Sequence, residues 1–306
     1  MTKIFLSLIY YSFYLIFPLI VLLIWLTKKR TNKKITFEII ILLTISLFLI
    51  WARFIEPNLL IIKKYNFNLE NSNNKLKVII FSDIHIGVYN EKKILDRVVK
   101  KIDKINPDLV LIPGDFVYFA EEEKLNNYFS VLNKIEVPKL AVLGNHDYGR
   151  EENNISQRVT SSLEKAGVLM IDNKTKVLEI NNKRIEFIGL ADIWVGDPDY
   201  SVLNSDNSES GVSLRILLSH NPDSVYEVSS LNNAKKIDLM ISGHTHAGQI
   251  RLPIIYKKII PSEYGFDKGF YNINNINLFI TPGIGNVALP LRFLNLPEIS
   301  LMEVNF

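Results

Sequence analysis

"KVIIFSDIHIG", Lys77 to Gly87, places an apolar run directly before a loop that holds an aspartate and a histidine two residues apart. The first half, "KVIIFS", reads as a short buried strand. In open α/β sheets, function collects in the loops that follow the carboxyl ends of strands. Asp83 and His85 sit in such a loop. The decisive test of this reading is whether other strands end the same way.

Working outward, they do. "EKKILDRVVKKIDKI" carries Ile94, Leu95, Val98, Val99, Ile102 and Ile105 on one helical stripe. "LVLIP" is the next strand, and its loop brings Asp115. Glu121 to Ile135 reads as one helix, and "KLAVLG" as a strand that delivers Asn145, His146 and Asp147 in "GNHDYG". Ser156 to Ala166 is a helix that Gly167 can terminate. "KVLEINNKRIEFIGL" alternates around Asn181-Asn182 as a hairpin. "LRILLSH" delivers His220 and "IDLMISGH" delivers His244 and His246, with room for a short helix between them. "NINLFITPG" and "EISLMEV" close the chain as strands, and "VGDPDYSVLNSDNSESG" reads as a polar loop. Strand–helix alternation followed by hairpins predicts an α/β sandwich of two mixed sheets flanked by helices, with no internal repeat.

This accounts for all five histidines of the 306-residue chain, each at or just after a predicted strand end. A lone histidine there is most often a satisfied structural residue. Five of them beside Asp, Asn, Ser and Gly point to one chemistry. The chain has no cysteine, so a metal must be held by nitrogen and oxygen, a donor set that suits Mn, Fe, Zn or Ni. Paired positions two apart on extended backbone face one side, which predicts that Asp83 with His85, and His244 with His246, each address one cleft. More ligands are present than one ion needs, so two ions sharing a bridging carboxylate are expected. The net charge of +3 gives no support to a nucleic-acid partner.

The front of the chain has another character. Ile4 to Leu26 carries no charged residue, long enough for the about 20 apolar residues of a membrane span. "TKKRTNKK" follows, then a second apolar run from Ile35 to about Ile55, with Trp25 and Trp51 near the boundaries. A cleaved signal peptide would be shorter and end in small residues, and a core hairpin would show polar faces. The expectation is a transmembrane hairpin over 1–55, a linker with a possible edge strand in "LLIIKKYNFNL" over 56–76, and a catalytic domain over 77–306. The basic connector faces the cytoplasm by the positive-inside rule, which sets the domain outside; Arg53, Lys63 and Lys64 beyond the second span weaken that bias.

The blocks "DIH", "GD", "GNHD", "H" and "GHTH", in this order, resemble the calcineurin-like metallophosphoesterases. "GHTHAGQIRLP" and "GIGNVALPLRFLNLPEISL" look like a bacterial membrane-associated branch, one class of which hydrolyses UDP-diacylglucosamine pyrophosphate in lipid A synthesis. The resemblance implies the family's sandwich fold and two divalent metal ions. Asp83, His85 and His246 would hold the first metal and Asn145, His220 and His244 the second, with Asp115 bridging. A hydroxide between the ions would attack phosphorus, His146 would protonate the leaving oxygen or steady the phosphoryl charge, and Asp147 would orient His146. The implied activity is a membrane-bound phosphohydrolase acting on a phosphoester or pyrophosphate, with a lipid-linked substrate expected. A soluble-ester phosphodiesterase and a non-catalytic metal-stabilised module are the rivals. Oligomeric state is left open. Tyr118 is either a metal-bound phenolate or a rim aromatic, and Arg292 either a phosphate contact or a salt-bridge partner. Gln249 and Asn286 either support the ligands or merely form turns, while Asp192 and Asp223 read as loop or capping residues.

Overall fold

The computed structural model describes residues 3–29, 32–69, 73–89, 92–150, 153–204, 211–231 and 236–306. Two six-stranded mixed sheets face each other. The first is ordered β1 (Ile61–Asn68), β12 (Glu298–Asn305), β2 (Lys75–Ile80), β3 (Leu109–Pro113), β4 (Lys139–Val142) and β5 (Leu169–Met170). The second is ordered β6 (Lys174–Ile180), β7 (Lys183–Gly189), β8 (Val212–Leu218), β9 (Leu239–Ser242), β11 (Ile276–Ile280) and β10 (Gly269–Ile273). The strands that lead into the predicted loops, β2, β3 and β4 in one sheet and β8, β9 and β11 in the other, run parallel within their sheets. Their carboxyl ends therefore emerge on one side.

The apolar runs explain the layering. Val78, Ile80, Leu111 and Val142 meet Phe187, Ile216, Leu218 and Ile241 between the sheets. Alternate residues face outward, where Ile79, Val110 and Ile112 pack under α4 (Lys93–Ile102) and α6 (Ser156–Lys165). Leu217, Met240 and Leu278 likewise pack with Val225 and Val228 of α7 (Ser224–Ser230). Strands covered on both faces need no polar side, which is why they read as unbroken apolar runs. Asn181 and Asn182 have φ of 54° and 59°, the left-handed pair that a two-residue hairpin requires.

One expectation needs revision. Glu121–Ile135 is not one helix: a 3₁₀ turn, Glu122–Lys124, leads into α5 (Leu125–Phe129), and a second, Ser130–Lys134, follows. Asn126, Asn127 and Ser130 are weak helix formers, and the tighter final turn buries Val131 and Leu132 side by side. The edge strand expected within 56–76 forms at the edge of the first sheet. Ile61–Asn68 pairs in parallel with Glu298–Asn305, and Glu56 is buried at the end of the second long helix. Of the polar loop, residues 205–210 lie outside the described residues, and Tyr200–Asn204 forms a 3₁₀ turn.

The N-terminal helices are α1 (Lys3–Ser12), continued through a 3₁₀ turn into α2 (Ile16–Lys29), and α3 (Lys33–Ile50), whose last turn widens to a π-helical one at Trp51–Ile55. By length and composition, Lys3–Lys29 and Lys33–Asn58 could each cross a membrane. Most of their apolar side chains, Leu15, Val21 and Leu47 among them, are exposed. The pair is nevertheless fastened to the sandwich. Leu6 is buried against Tyr89 and Tyr118, Phe48 meets Phe293 at 4.4 Å between ring centres, and the Arg292 amide donates to the Ala52 carbonyl (2.9 Å). The first turns of α1 thus belong to the domain surface, and Lys3 lies 3.7 Å from Glu121.

Candidate metal centre

The loops that leave the two sheets are stitched to each other before any side chain is considered. The Gly243 amide donates to His220, Thr281 to Ser242, and Ile284 to Ser82, each at 3.0 Å. The His244 amide reaches across to the Asp83 carboxylate at 3.0 Å. Asp115 is framed by the β2 loop, since Ile84 and His85 both donate to its carbonyl.

Into this frame the loops deliver two groups of donor atoms. Asp83, His85, Asp115 and His246 form one, and Asp115, His220 and His244 the other; within each, the donor atoms lie within 4.8 Å of one another. Asp115 belongs to both. Its Oδ2 is 3.2 Å from His220 Nε2 and 3.4 Å from His85 Nε2. All six side chains are buried, and the Asn145 Oδ1 atom is buried without a hydrogen-bond partner.

The donor chemistry fits cations. His220 Nδ1 donates to the Pro113 carbonyl at 2.8 Å, which leaves the Nε2 lone pair aimed at Asp115 and its neighbours. His85 and His246 point Nε2 at Nε2, 2.9 Å apart, and His244 Nδ1 faces His220 Nε2 at 3.2 Å. Each pairing is satisfied either by one N–H shared between the two rings or by a cation that both nitrogens bind. Burial disfavours the imidazolium form and lowers His85 and His244 to about 3, so these rings are neutral, the form that binds metal. Burial opposes charge on His220 too, but Asp115 beside it outweighs this and raises the ring to about 10 in the absence of a metal. A bound cation would compete with that proton.

The two-apart expectation reached the right residues for the wrong backbone reason. Asp83, His85, Asp115, His244 and His246 have positive φ, between 48° and 69°. The segments are not extended. Each of these five sits on left-handed backbone that costs about 1–3 kcal/mol and survives only because the surrounding bonds impose it. Gly114 shares the constraint at φ 81°, where a Cβ would come within 2.7 Å of His220 Nδ1.

The remaining expectations divide. His146 lines the cleft on the 3₁₀ turn Asn145–Tyr148, its ring centre 5.1 Å from that of His85. Asp147 does not do what was expected of it. Its carboxylate accepts from the amides of Asp115, Phe116, Val117 and Gly144, at 2.8–3.0 Å, so it organises the loop rather than the imidazole. Arg292 is 0% exposed, and its guanidinium donates to the carbonyls of Gly285, Asn295, Pro282 and Gly283. It is unavailable to a phosphate and serves instead as the strut of the loop behind the cleft. Tyr118 packs on Leu6 and Tyr89 and turns its ring edge to His85 and His146, a rim aromatic whose hydroxyl burial pushes up. Gln249 holds Val287 and Leu289 through backbone bonds, Asp192 caps the turn at Trp194, and Asp223 receives Ser262.

Sequence reasoning missed the cleft's walls. The cavity, about 420 Å³, is lined beyond the ligands by Trp194, Ile250, Ile259, Pro261, Val287 and Leu289. Trp194 meets His244 in a T-shaped pair with ring centres 4.4 Å apart, and the adjoining loop exposes Ile254 at 85%. The run "IRLPII" carried this signal, an apolar stretch with no strand or helix partner. Also missed was Asn295, whose side chain donates to the His246 carbonyl (2.7 Å) while its amide meets Glu56 at 2.5 Å.

Residues 76–248 match the family model described as calcineurin-like phosphoesterase. The chain is 31% identical over 264 residues to the uncharacterized metallophosphoesterase YkuE of Bacillus subtilis, covering 83% of this chain and 88% of that one. It is 27% identical to the phosphodiesterase YaeI of Escherichia coli, over 74% of this chain and 82% of that one. It is 26% identical to the UDP-2,3-diacylglucosamine pyrophosphatase LpxG of Chlamydia trachomatis, over 83% and 92% respectively. The chain belongs to the calcineurin-like phosphoesterase family and is a hydrolase of phosphoester bonds.

Proposed function

We propose that this calcineurin-like phosphoesterase is a membrane-anchored, dinuclear enzyme whose substrate carries a lipid beside the phosphoester or pyrophosphate bond it cleaves. One observation carries the reading: a strained, buried cup of metal-type donors lies beside an apolar wall, and Phe293, bridged to the wall residue Ile250, packs on Phe48 of the apolar hairpin. Asp83, His85 and His246 would hold one ion, and Asn145, His220 and His244 the other, with Asp115 common to both. Two divalent ions there would supply Lewis acidity toward phosphoryl oxygens and a water acidic enough to attack at neutral pH. The chain's own groups do the rest. His146, at the cleft mouth, is placed to give a proton to the leaving oxygen or to steady charge on the phosphoryl group. Asp147 fixes the peptides from Asp115 to Val117, so the bridging carboxylate cannot swing away. Trp194, Ile250, Ile259 and Leu289 exclude water from one side and offer an acyl or lipid-proximal group an apolar seat.

The hairpin supports anchoring because its exposed apolar faces need a hydrocarbon environment. Its basic connector favours an extracytoplasmic domain, and protease access to the domain in intact cells tests that side. A UDP-diacylglucosamine-type pyrophosphate is the concrete lipid candidate, by similarity to LpxG; similarity to YaeI favours a soluble phosphodiester as second reading. Turnover of the full-length protein in detergent separates them. The lipid reading expects kcat/KM for a lipid-linked ester at least about tenfold above that for its water-soluble counterpart, from burial of a few methylenes. Equal or higher efficiency on the soluble ester defeats it.

A further inference from the structure

A second cavity, about 320 Å³, lies where the hairpin meets the domain. Arg53, Lys93, Arg97 and Asn286 line it together with Tyr10 and Tyr89. We propose that it binds a phosphate anion, in the form of an acidic phospholipid headgroup, and that this site is distinct from the catalytic cleft.

Arg53 is the central observation. It is only 7% exposed, on the π-helical turn that ends α3, and its guanidinium lies 4.1 Å from the Tyr10 ring centre. The Phe54 ring centre lies 4.8 Å away, and neither ring accepts an N–H hydrogen bond of the kind a phosphate oxygen does. Nε and Nη2 are buried and have no hydrogen-bond partner. A guanidinium edge with two parallel N–H groups matches the oxygens of a phosphate. Arg97 and Lys93, from the first turns of α4, add two further positive charges, and no carboxylate is among the described lining residues. The helix dipole adds to the same sign. Asn286 also lines this space.

The location selects the source of the phosphate. Tyr10, Tyr11, Tyr14 and Trp51 gather on this end of the hairpin, as aromatic residues do at a membrane interface. A basic pocket at that level is placed for a lipid headgroup whose acyl chains lie along the exposed helices. This choice of source rests on the membrane reading above; the charge of the pocket does not. One loop separates the two cavities, with Asn286 and Pro290 facing this one and Val287, Ala288 and Leu289 facing the cleft. Tyr89, in turn, donates to the Ala288 carbonyl at 2.8 Å. An occupied pocket would therefore steady the wall of the cleft.

The test follows the melting temperature of the full-length protein in neutral detergent. Dihexanoyl phosphatidylglycerol, dihexanoyl phosphatidylcholine and inorganic phosphate are titrated in turn. A saturable rise on the order of 2–4 °C is expected with the acidic lipid and not with phosphatidylcholine. It should vanish in Arg53→Gln and in the Lys93→Gln/Arg97→Gln double variant. The double variant changes only side chains outside the core, so it keeps the test decisive if Arg53→Gln fails to fold. The same variant-sensitive rise with inorganic phosphate supports the site and assigns it to the free anion. No saturable rise, an equal rise with phosphatidylcholine, or a rise that survives the substitutions overturns the proposal. The readout is stability rather than turnover, so it stands apart from the outcome of the substrate comparison.

Discussion

The floor and the wall of the catalytic cleft are built on opposite principles. The floor is polar, buried and held on strained backbone by bonds from neighbouring loops. The wall is apolar and partly exposed, with Trp194, Ile259 and Leu289 each about half exposed beside the cavity. A floor of this kind determines which bond is broken, because few other positions bring so many donor atoms together. A wall of this kind determines what is attached to that bond, because apolar burial is tolerant of shape but not of water. The difference teaches where substitution should act on rate and where on substrate preference.

The largest effect is expected at the one residue common to both donor groups. Asp115→Asn should bring turnover to background and cut metal content, measured by elemental analysis, since even residues behind a ligand cost about 10–100-fold. Retained metal and rate would remove Asp115 from the centre of the floor. His146→Ala should lower kcat by about 10²–10⁴-fold with metal content intact. An unchanged kcat would leave the proton to another group and break the division of labour within the floor.

A wall substitution should do something different in kind. Ile259→Asp/Leu289→Asp should raise KM for a lipid-linked ester by about ten- to a hundredfold, the equivalent of one apolar side chain's burial. It should leave the soluble ester alone. Equal losses on both would show that wall and floor are not separable. Smallest is a change outside both regions. Asp172, half-buried where it receives the Leu143 amide, is raised from 3.8 to about 6, chiefly by burial. The folded chain holds that proton more tightly than the unfolded one, so this group's contribution is full below about pH 4 and is lost as pH rises through 6. Asp172→Asn should therefore raise Tm by about 2 °C at pH 8, after allowance for solvent screening, and by nothing at pH 4. A gain equal at both pH values would mean that charge is not the cause.

Two buried arginines sharpen the same lesson. Arg292 and Arg53 approach the 282–295 loop from different sides. Arg292 spends its donors on carbonyls of that loop, whereas Arg53 keeps two unspent beside a cavity. Their neighbourhoods in sequence, "PLRF" and "WARF", are almost alike. Nothing local says that one is a strut and the other faces a space.

The Asp and His side chains that gather into two metal-type groups, the sandwich and the apolar hairpin were legible in the chain itself. Each follows from a local pattern: an apolar run ends, and a polar side chain comes next. The Asn181-Asn182 turn, the α4 stripe and the order of the metal-type blocks all depend on neighbours within about one strand or helix. Contacts across loops were not legible. The left-handed backbone at the ligands, the four amides that claim Asp147, the sealed guanidinium of Arg292 and the apolar wall at Trp194 arise only when separate strand ends meet. Periodicity records which side of an element is buried; which atoms then face each other depends on packing between residues far apart in the chain, and that is decided in three dimensions.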